Sequence, residues 1–267
     1  MAWIELDGAV NARDLGGLPA GDGLRIAPRT LLRSDNLQDL TPADITKLVD
    51  GLGLTTVIDL RSTGELESEG SSPLGRQVPG VNHVHLSVLP EVGKRTDVAA
   101  EALLLRRERD RSRYPDDAMC GHYLGYLEDR PESVTGALRA IAGAPGAALV
   151  HCAAGKDRTG VVIALTLTAV GVPAEAVIAD YAATDQRTEA ILERLKRSPT
   201  YAADLRDSPV DRHRPRPETM KAVLEQVQAH YGGARRWLAD HGFTGADLER
   251  LRAKLVVAGD ADRSDAG

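Results

Sequence analysis

Cys152 and Arg158 stand within a short string, His151-Cys152-Ala153-Ala154-Gly155-Lys156-Asp157-Arg158-Thr159-Gly160, with five residues between them. An apolar run, Ala147-Ala148-Leu149-Val150, precedes it, and another, Val161-Val162-Ile163-Ala164-Leu165, follows. The pattern predicts strand, tight loop, helix. Such a loop turns successive backbone N–H groups and the positive end of a helix toward one point, which makes it an anion site; Ala153, Ala154, Gly155 and Lys156 would form the cradle. The same field stabilises a thiolate at Cys152. The planar fork of Arg158 can hold two oxygens of a phosphoryl group at once. Nucleophile, cradle and clamp together predict covalent phosphoryl transfer through a phosphocysteine that water then hydrolyses. Thr159 either starts the helix or donates its hydroxyl to the cysteine sulfur. His151 holds the loop, because along a continuing strand it points opposite to Cys152.

The elements that must position this loop follow from periodicity and punctuation. Thr55 to Leu60 reads as a buried strand and Val81 to Val88 as another, ending at Pro90-Glu91. Thr41-Pro42-Ala43-Asp44 is a helix start that stops near Gly51 or Gly53, and Ser62-Thr63-Gly64-Glu65 caps a short helix. Helices are expected at 98–109, 117–129, 132–142 and 158–170, then at 174–181, 185–197, 218–231, 235–241 and 245–256. The alternation predicts an α/β fold with a largely parallel central sheet and a helical C-terminal region. One domain is expected over 1–257, with a small, polar, disordered tail over 258–267.

A hydrophobic content of 42% with only 3% aromatics calls for an aliphatic core, and a formal charge of −6 argues against general nucleic-acid binding. An anionic substrate must then be drawn by local positive potential. Two cysteines give no disulfide framework, which fits a reducing compartment. The start of the chain lacks the basic and long apolar regions of a signal peptide, and no apolar run approaches the ~20 residues of a membrane span. A cytoplasmic protein without integral membrane association is expected. Cys120 reads as a buried thiol, with a redox role toward Cys152 left open. His83 and His85 have no cysteine or carboxylate nearby to complete a metal site, so neither metal nor cofactor is expected. Arg106, Arg107, Arg109, Arg111 and Arg113, interspersed with acids, read as a solvated helix face, with docking of acidic substrates as the alternative.

The Cys-x5-Arg signature, extended to His-Cys-x-x-Gly-Lys-Asp-Arg-Thr-Gly, resembles the atypical bacterial tyrosine/serine phosphatases of the protein tyrosine phosphatase superfamily. The likeness extends to Asn11-Ala12-Arg13-Asp14-Leu15-Gly16-Gly17, Leu32-Arg33-Ser34, Ile58-Asp59-Leu60-Arg61-Ser62 and Ala179-Asp180-Tyr181. It implies the three-layer fold of that superfamily and hydrolysis of protein phosphotyrosine, with phosphoserine/threonine or phosphoinositide activity besides. Members can leave the cell without a classical signal. In this family a helical pair covers the site as a lid, and residues 182–216 occupy that place.

The general acid is less sharply marked. The usual phosphatases carry an aspartate on a mobile loop upstream of the cysteine, where this chain has Gly121-His122-Tyr123. Asp157 ranks first, since lipid phosphatases of the myotubularin and Sac types place an acid inside the loop. Glu91 and Asp59 are the alternatives, Asp59 also being placed to orient the loop or pair with Arg61. Lys156 would attract a second phosphate. A rhodanese-like sulfurtransferase and a non-catalytic phosphate-binding protein are the rival functions.

Overall fold

A computed structural model describes residues 1–90, 108–109 and 111–259. The central sheet has six strands in the order β1 (Ala2–Trp3), β2 (Arg13–Asp14), β4 (Leu31–Ser34), β7 (Ala147–His151), β5 (Leu54–Asp59) and β6 (Asn82–His85). The four strands from β4 to β6 run parallel, and β1 and β2 add an antiparallel edge. This is the expected α/β architecture. Strand alternation divides it into layers. Ala148 and Val150 of β7 join Leu31 and Ile58 in the larger core, while Ala147 and Leu149 join Leu32 and Val57 in a second core on the opposite face.

The larger core is covered by α4 (Ala118–Asp129), α5 (Pro131–Gly143), α6 (Asp157–Val170), α7 (Ala174–Ala183), α10 (Pro217–Tyr231), α11 (Ala234–Asp240) and α12 (Gly245–Leu255). Helix α1 (Pro42–Thr46) helps cover the other face and runs on as a π turn, Lys47–Gly51. Its predicted start is a complete capping box. Asp44 N–H donates to Thr41 Oγ1, Thr41 N–H donates to Asp44 Oδ2 at 2.9 Å, and Asp44 also accepts from the N–H groups of Asp7 and Gly8. Ser62 and Glu65 cap α2 (Thr63–Glu69) in the same way.

The structure adds elements and corrects others. Helix α3 (Pro73–Gln77) has Ser72 as its cap and Pro73 at its first turn, a signal present in the sequence. The helix expected at 185–197 is a 3-10 turn, Thr184–Arg187, followed by α8 (Thr188–Leu195); two short pieces, α9 (Ala202–Leu205) and a 3-10 turn at Val210–His213, follow. The chain after α12 does not begin a tail at Ala258. Val256–Ala258 forms β8, antiparallel to β3 (Leu24–Ile26), because two β-branched valines find an unpaired strand beside them. Residues 260–267 and nearly all of the helix expected at 98–109 lie outside the described residues. So does Glu91.

Candidate active site

The loop from Cys152 to Lys156 leaves the carboxyl end of β7, between β4 and β5, and delivers the chain into α6. Open parallel sheets bind ligands at this edge. Three outward-facing carbonyls of the loop are fixed from different parts of the chain. Asn36 N–H donates to Ala153 O at 2.9 Å, Asn11 Nδ2 to Ala154 O at 2.9 Å, and Arg33 Nη2 to Gly155 O at 2.6 Å. With the carbonyls held outward, the N–H groups turn inward, and those of Ala153 to Lys156 have no protein acceptor among the described residues. Gly155 adopts φ +66, and a Cβ there would lie 2.3 Å from Ser34 O, so only glycine fits.

Behind the loop lies a buried ionic group that the sequence reading did not assign. Asp180 on α7 accepts from Arg13 Nε at 2.8 Å and from Arg33 Nη1 at 2.5 Å, and Arg13 also donates to Asn11 Oδ1 at 2.6 Å. Burial and the neighbouring Arg33 bring the Arg13 guanidinium down to about 10, with Asp180 opposing them. The two arginines therefore share one carboxylate and, through Asn11 and Arg33, tie β2 and β4 to the loop.

Cys152 lies at the floor of a cavity of about 420 Å³. Arg158, the second residue of α6, is locked by Glu65 of α2, with Nη1 donating to Oε2 at 2.5 Å and Nη2 to Oε1 at 2.9 Å. The Nη1–Nη2 edge of the guanidinium is thereby fixed, leaving its remaining N–H groups for an anion. Glu65 also accepts from Ser62 N–H and from the Tyr201 hydroxyl. Burial favours its neutral form, but Arg158, Ser62 and Tyr201 outweigh it and hold the carboxyl at about 2. The pair is therefore intact above the ordinary carboxylate range near 4 and is lost only as pH falls toward 2.

Asp157 also lines the cavity, with its side chain 28% exposed. Its Oδ1 accepts from the Tyr123 hydroxyl at 2.5 Å and lies 3.4 Å from Lys156 Nζ. Against burial, which favours the neutral acid, Lys156 and Tyr123 hold it below the usual carboxylate range. Lys156 donates to the His213 carbonyl at 2.7 Å. Thr159 is fully buried and its hydroxyl has no hydrogen-bond partner among the described residues, so the bond to sulfur read from the sequence is not formed here.

His151 and Asp59 belong to the support. Asp59 is taken by Arg61, whose Nη2 donates at 2.6 Å and whose Nε donates at 3.0 Å, and it does not line the cavity. Burial works against its ionisation, but His151 and Arg61 hold its carboxyl far down. Committed to Arg61 and outside the cavity's lining, Asp59 is not placed to protonate a leaving group there. His151 Nε2 lies 3.7 Å from Asp59, and burial lowers its pKa.

Residues of the segment 184–213 form the roof. Ile191, Leu192, Leu195 and Leu205 pack on Ala153, and Tyr201 joins them. Polar contacts fasten the roof: Arg194 pairs with Asp35, Ser198 donates to Glu69, and Tyr201 donates to Glu65 at 2.9 Å. Beneath it Cys152 is only 1% exposed. Elsewhere, Cys120 is a free thiol pushed up to about 12 by burial and by Asp117. Arg109 and Arg113 pair with Asp129 and Glu128 at the end of α4, outside the cavity, while Arg106 and Arg107 lie outside the described residues. No cluster of three metal-ligating side chains, and no helix long and apolar enough to cross a membrane, occurs among the described residues.

A thiol, an inward-facing amide cradle and a locked guanidinium at the carboxyl edge of a parallel sheet define the class of cysteine-dependent phosphatases. Comparison with known proteins agrees. The model of the tyrosine phosphatase family matches residues 4–257. Triple specificity protein phosphatase PtpB of Mycobacterium tuberculosis is 30% identical over 287 residues, covering 96% of this chain and 100% of PtpB. A tyrosine-protein phosphatase of Nostoc commune is 28% identical over 247 residues, covering 90% of this chain and 79% of its own. Among solved structures, P. aeruginosa TpbA in complex with pTyr covers 79% of this chain and 94% of its own at 18% identity, with a TM-score of 0.28, too low to bear on the fold. The chain belongs to the tyrosine phosphatase family and is a phosphatase acting on phosphorylated substrates.

Proposed function

We propose that this phosphatase hydrolyses aryl phosphate monoesters, protein phosphotyrosine before all, through a phosphocysteine on Cys152. The observation that carries the reading is the cavity's division. Cys152, Lys156 and Arg158 make a charged floor, while Leu89, Ile191, Leu192, Leu195 and Leu205 make apolar walls. A phosphoryl group fits the floor and an aryl ring fits the walls. A polyol ring carrying several phosphates would meet apolar walls and three acids, Glu65, Asp157 and Asp204, in the same cavity.

In the proposed sequence the Cys152 thiolate attacks phosphorus, Arg158 and the loop amides take up the equatorial oxygens, and Asp157 protonates the departing oxygen. The P–O bond to the leaving group breaks as the S–P bond forms. Water then attacks phosphorus, Asp157 accepting its proton, and the thiolate is restored. Asp157 is the acid of choice because it lines the cavity beside Arg158. Both cysteines are free, which supports work in a reducing compartment such as the cytoplasm.

A panel of phosphotyrosine peptide, phosphoserine peptide, alkyl phosphate and phosphoinositide tests the reading in wild type and Asp157→Asn. Wild type should favour the phosphotyrosine peptide. Asp157→Asn should slow the alkyl phosphate by about 10²-fold or more and an activated aryl phosphate much less, since a good leaving group needs little protonation. Equal losses for the two would remove Asp157 from the acid's role, and preference for phosphoinositide would overturn the aryl reading. Sulfur transfer without phosphate release would favour the sulfurtransferase.

Residues 182–216 act as the lid in this reading. Tyr201→Phe deletes one fastening to Glu65, so alkylation of Cys152 should accelerate several-fold. An unchanged alkylation rate in that variant, and in one that also carries Ser198→Ala, would mean that the segment is fixed in place.

A further inference from the structure

The stretch that holds no carboxylate in the sequence, Gly121-His122-Tyr123, supplies a phenol to the site instead. Tyr123 lies on α4, 1% exposed, and its hydroxyl reaches Asp157 Oδ1 at 2.5 Å. Its oxygen lies 2.9 Å from the Tyr181 hydroxyl on α7. We propose that Tyr123, oriented by Tyr181, is a positioning residue that decides which oxygen of Asp157 carries the acid's proton. The inference rests on Asp157 being the acid.

The direction of the chain follows from counting protons. An ionised carboxylate only accepts, so the single proton of Tyr123 goes to Asp157. The Tyr123 oxygen must then accept from Tyr181, which spends the one proton of that hydroxyl. Both phenols are held protonated, well above their ordinary range, by burial and by Asp157. Oδ1 of Asp157 also faces Lys156. Oδ2 has no hydrogen-bond partner among the described residues. A proton arriving at Asp157 therefore settles on Oδ2, and Oδ1, now a carbonyl oxygen, still accepts from Tyr123. The arrangement serves both protonation states without rotating the carboxyl group, which is what a residue acting first as acid and then as base requires.

The charged and titratable groups facing Asp157 are Lys156 and Arg158 from the loop and its helix, His122 and Tyr123 from α4, Tyr181 from α7, and His213 from the roof. Tyr123 differs from the cations among them because its removal changes no formal charge. A hydrogen bond donated to the ionised form favours that form, so deleting it makes Asp157 a weaker acid.

Tyr123→Phe keeps the ring and deletes the donor. The alkaline limb of alkyl phosphate turnover should move up by about one pH unit, and the ratio of alkyl to activated aryl turnover at the plateau should fall about fivefold. Tyr181→Phe, which removes the bond that polarises and orients the Tyr123 hydroxyl, should move the limb the same way by a smaller amount. It also provides the test should Tyr123→Phe fold poorly. In an Asp157→Asn background neither substitution should change the alkyl-to-aryl ratio further. If Asp157→Asn itself leaves the limb and the ratio unchanged, the acid assignment fails and the inference falls with it. If Asp157→Asn abolishes the limb while both phenylalanine variants leave it in place, the acid stands and the inference alone is overturned.

Discussion

Cys152→Ser should lose turnover by a factor on the order of 10⁴ or more while still binding phosphotyrosine peptide. The serine hydroxyl has neither the sulfur's nucleophilicity nor its ease of ionisation, and His151, the last residue of β7, does not activate it, being engaged with Asp59 and with the Cys152 carbonyl. Binding survives because the cradle is made by backbone. The carbonyls of Ala153, Ala154 and Gly155 are anchored by Asn36, Asn11 and Arg33, none of which touches the sulfur. Turnover is followed as phosphate release and binding as peptide titration of the inactive protein. Turnover near the wild-type rate would refute covalent catalysis by Cys152. Loss of binding together with rate would mean that the thiolate, rather than the amides, organises the loop.

Arg158→Ala should lower kcat/KM by about 10³-fold and raise the concentration of inorganic phosphate needed for inhibition. Unlike Cys152→Ser, this change acts on ground and transition states alike, so binding and rate fall together. Part of the loss comes from Glu65, which would be left as a buried anion with only Ser62 N–H and the Tyr201 hydroxyl. Arg158→Ala combined with Glu65→Gln removes that stranded charge and should recover stability without recovering rate. Arg158→Lys should not restore activity, because an ammonium cannot engage Glu65 and a phosphoryl group through one planar fork. Phosphate inhibition of Arg158→Ala as tight as in wild type would sink the clamp assignment.

The sequence made the loop legible because its chemistry is local. Cys152, the small residues of the cradle and Arg158 follow one another, and a strand-loop-helix pattern says how they face. The parallel sheet was legible from buried strands alternating with helices. Glu65 was visible only as the acid of a capping box, and it fills that role; nothing in its neighbourhood shows that the same carboxylate also meets an arginine from the other half of the chain. Nothing around Tyr123 or Tyr181 in the sequence marks a role at the site; both are core residues, and only the fold brings the Tyr123 hydroxyl to Asp157 and the Tyr181 hydroxyl to Tyr123. Asp59 at its strand end was legible either as an acid or as a partner of Arg61, two residues on, and the structure forms the pair. The strand at Val256–Ala258 was missed because its partner, Leu24–Ile26, lies at the opposite end of the chain.

The three anchors of the loop have a consequence for how the protein folds. Ala154 and Asn11 are 143 residues apart, and Gly155 and Arg33 are 122 apart. A loop that reads as a local motif is thus closed only by long-range contacts, which form late because chain closure must precede them. Until β4 has docked beside β7 and β2 on the far side of β4, the amides have no reason to face inward and no anion can be held. Affinity for phosphate is in this sense a property of the completed molecule. An oxyanion bound only by that state stabilises the whole domain, by about 2.7 kcal/mol at a hundred times its Kd. The substrate's anionic group therefore acts as a ligand of the fold as well as of the loop, and a chain without its first two dozen residues would keep Cys152 and Arg158 yet lose the anchor at Asn11 and strand β2, whose Arg13 lies in register with Arg33 and shares Asp180 with it.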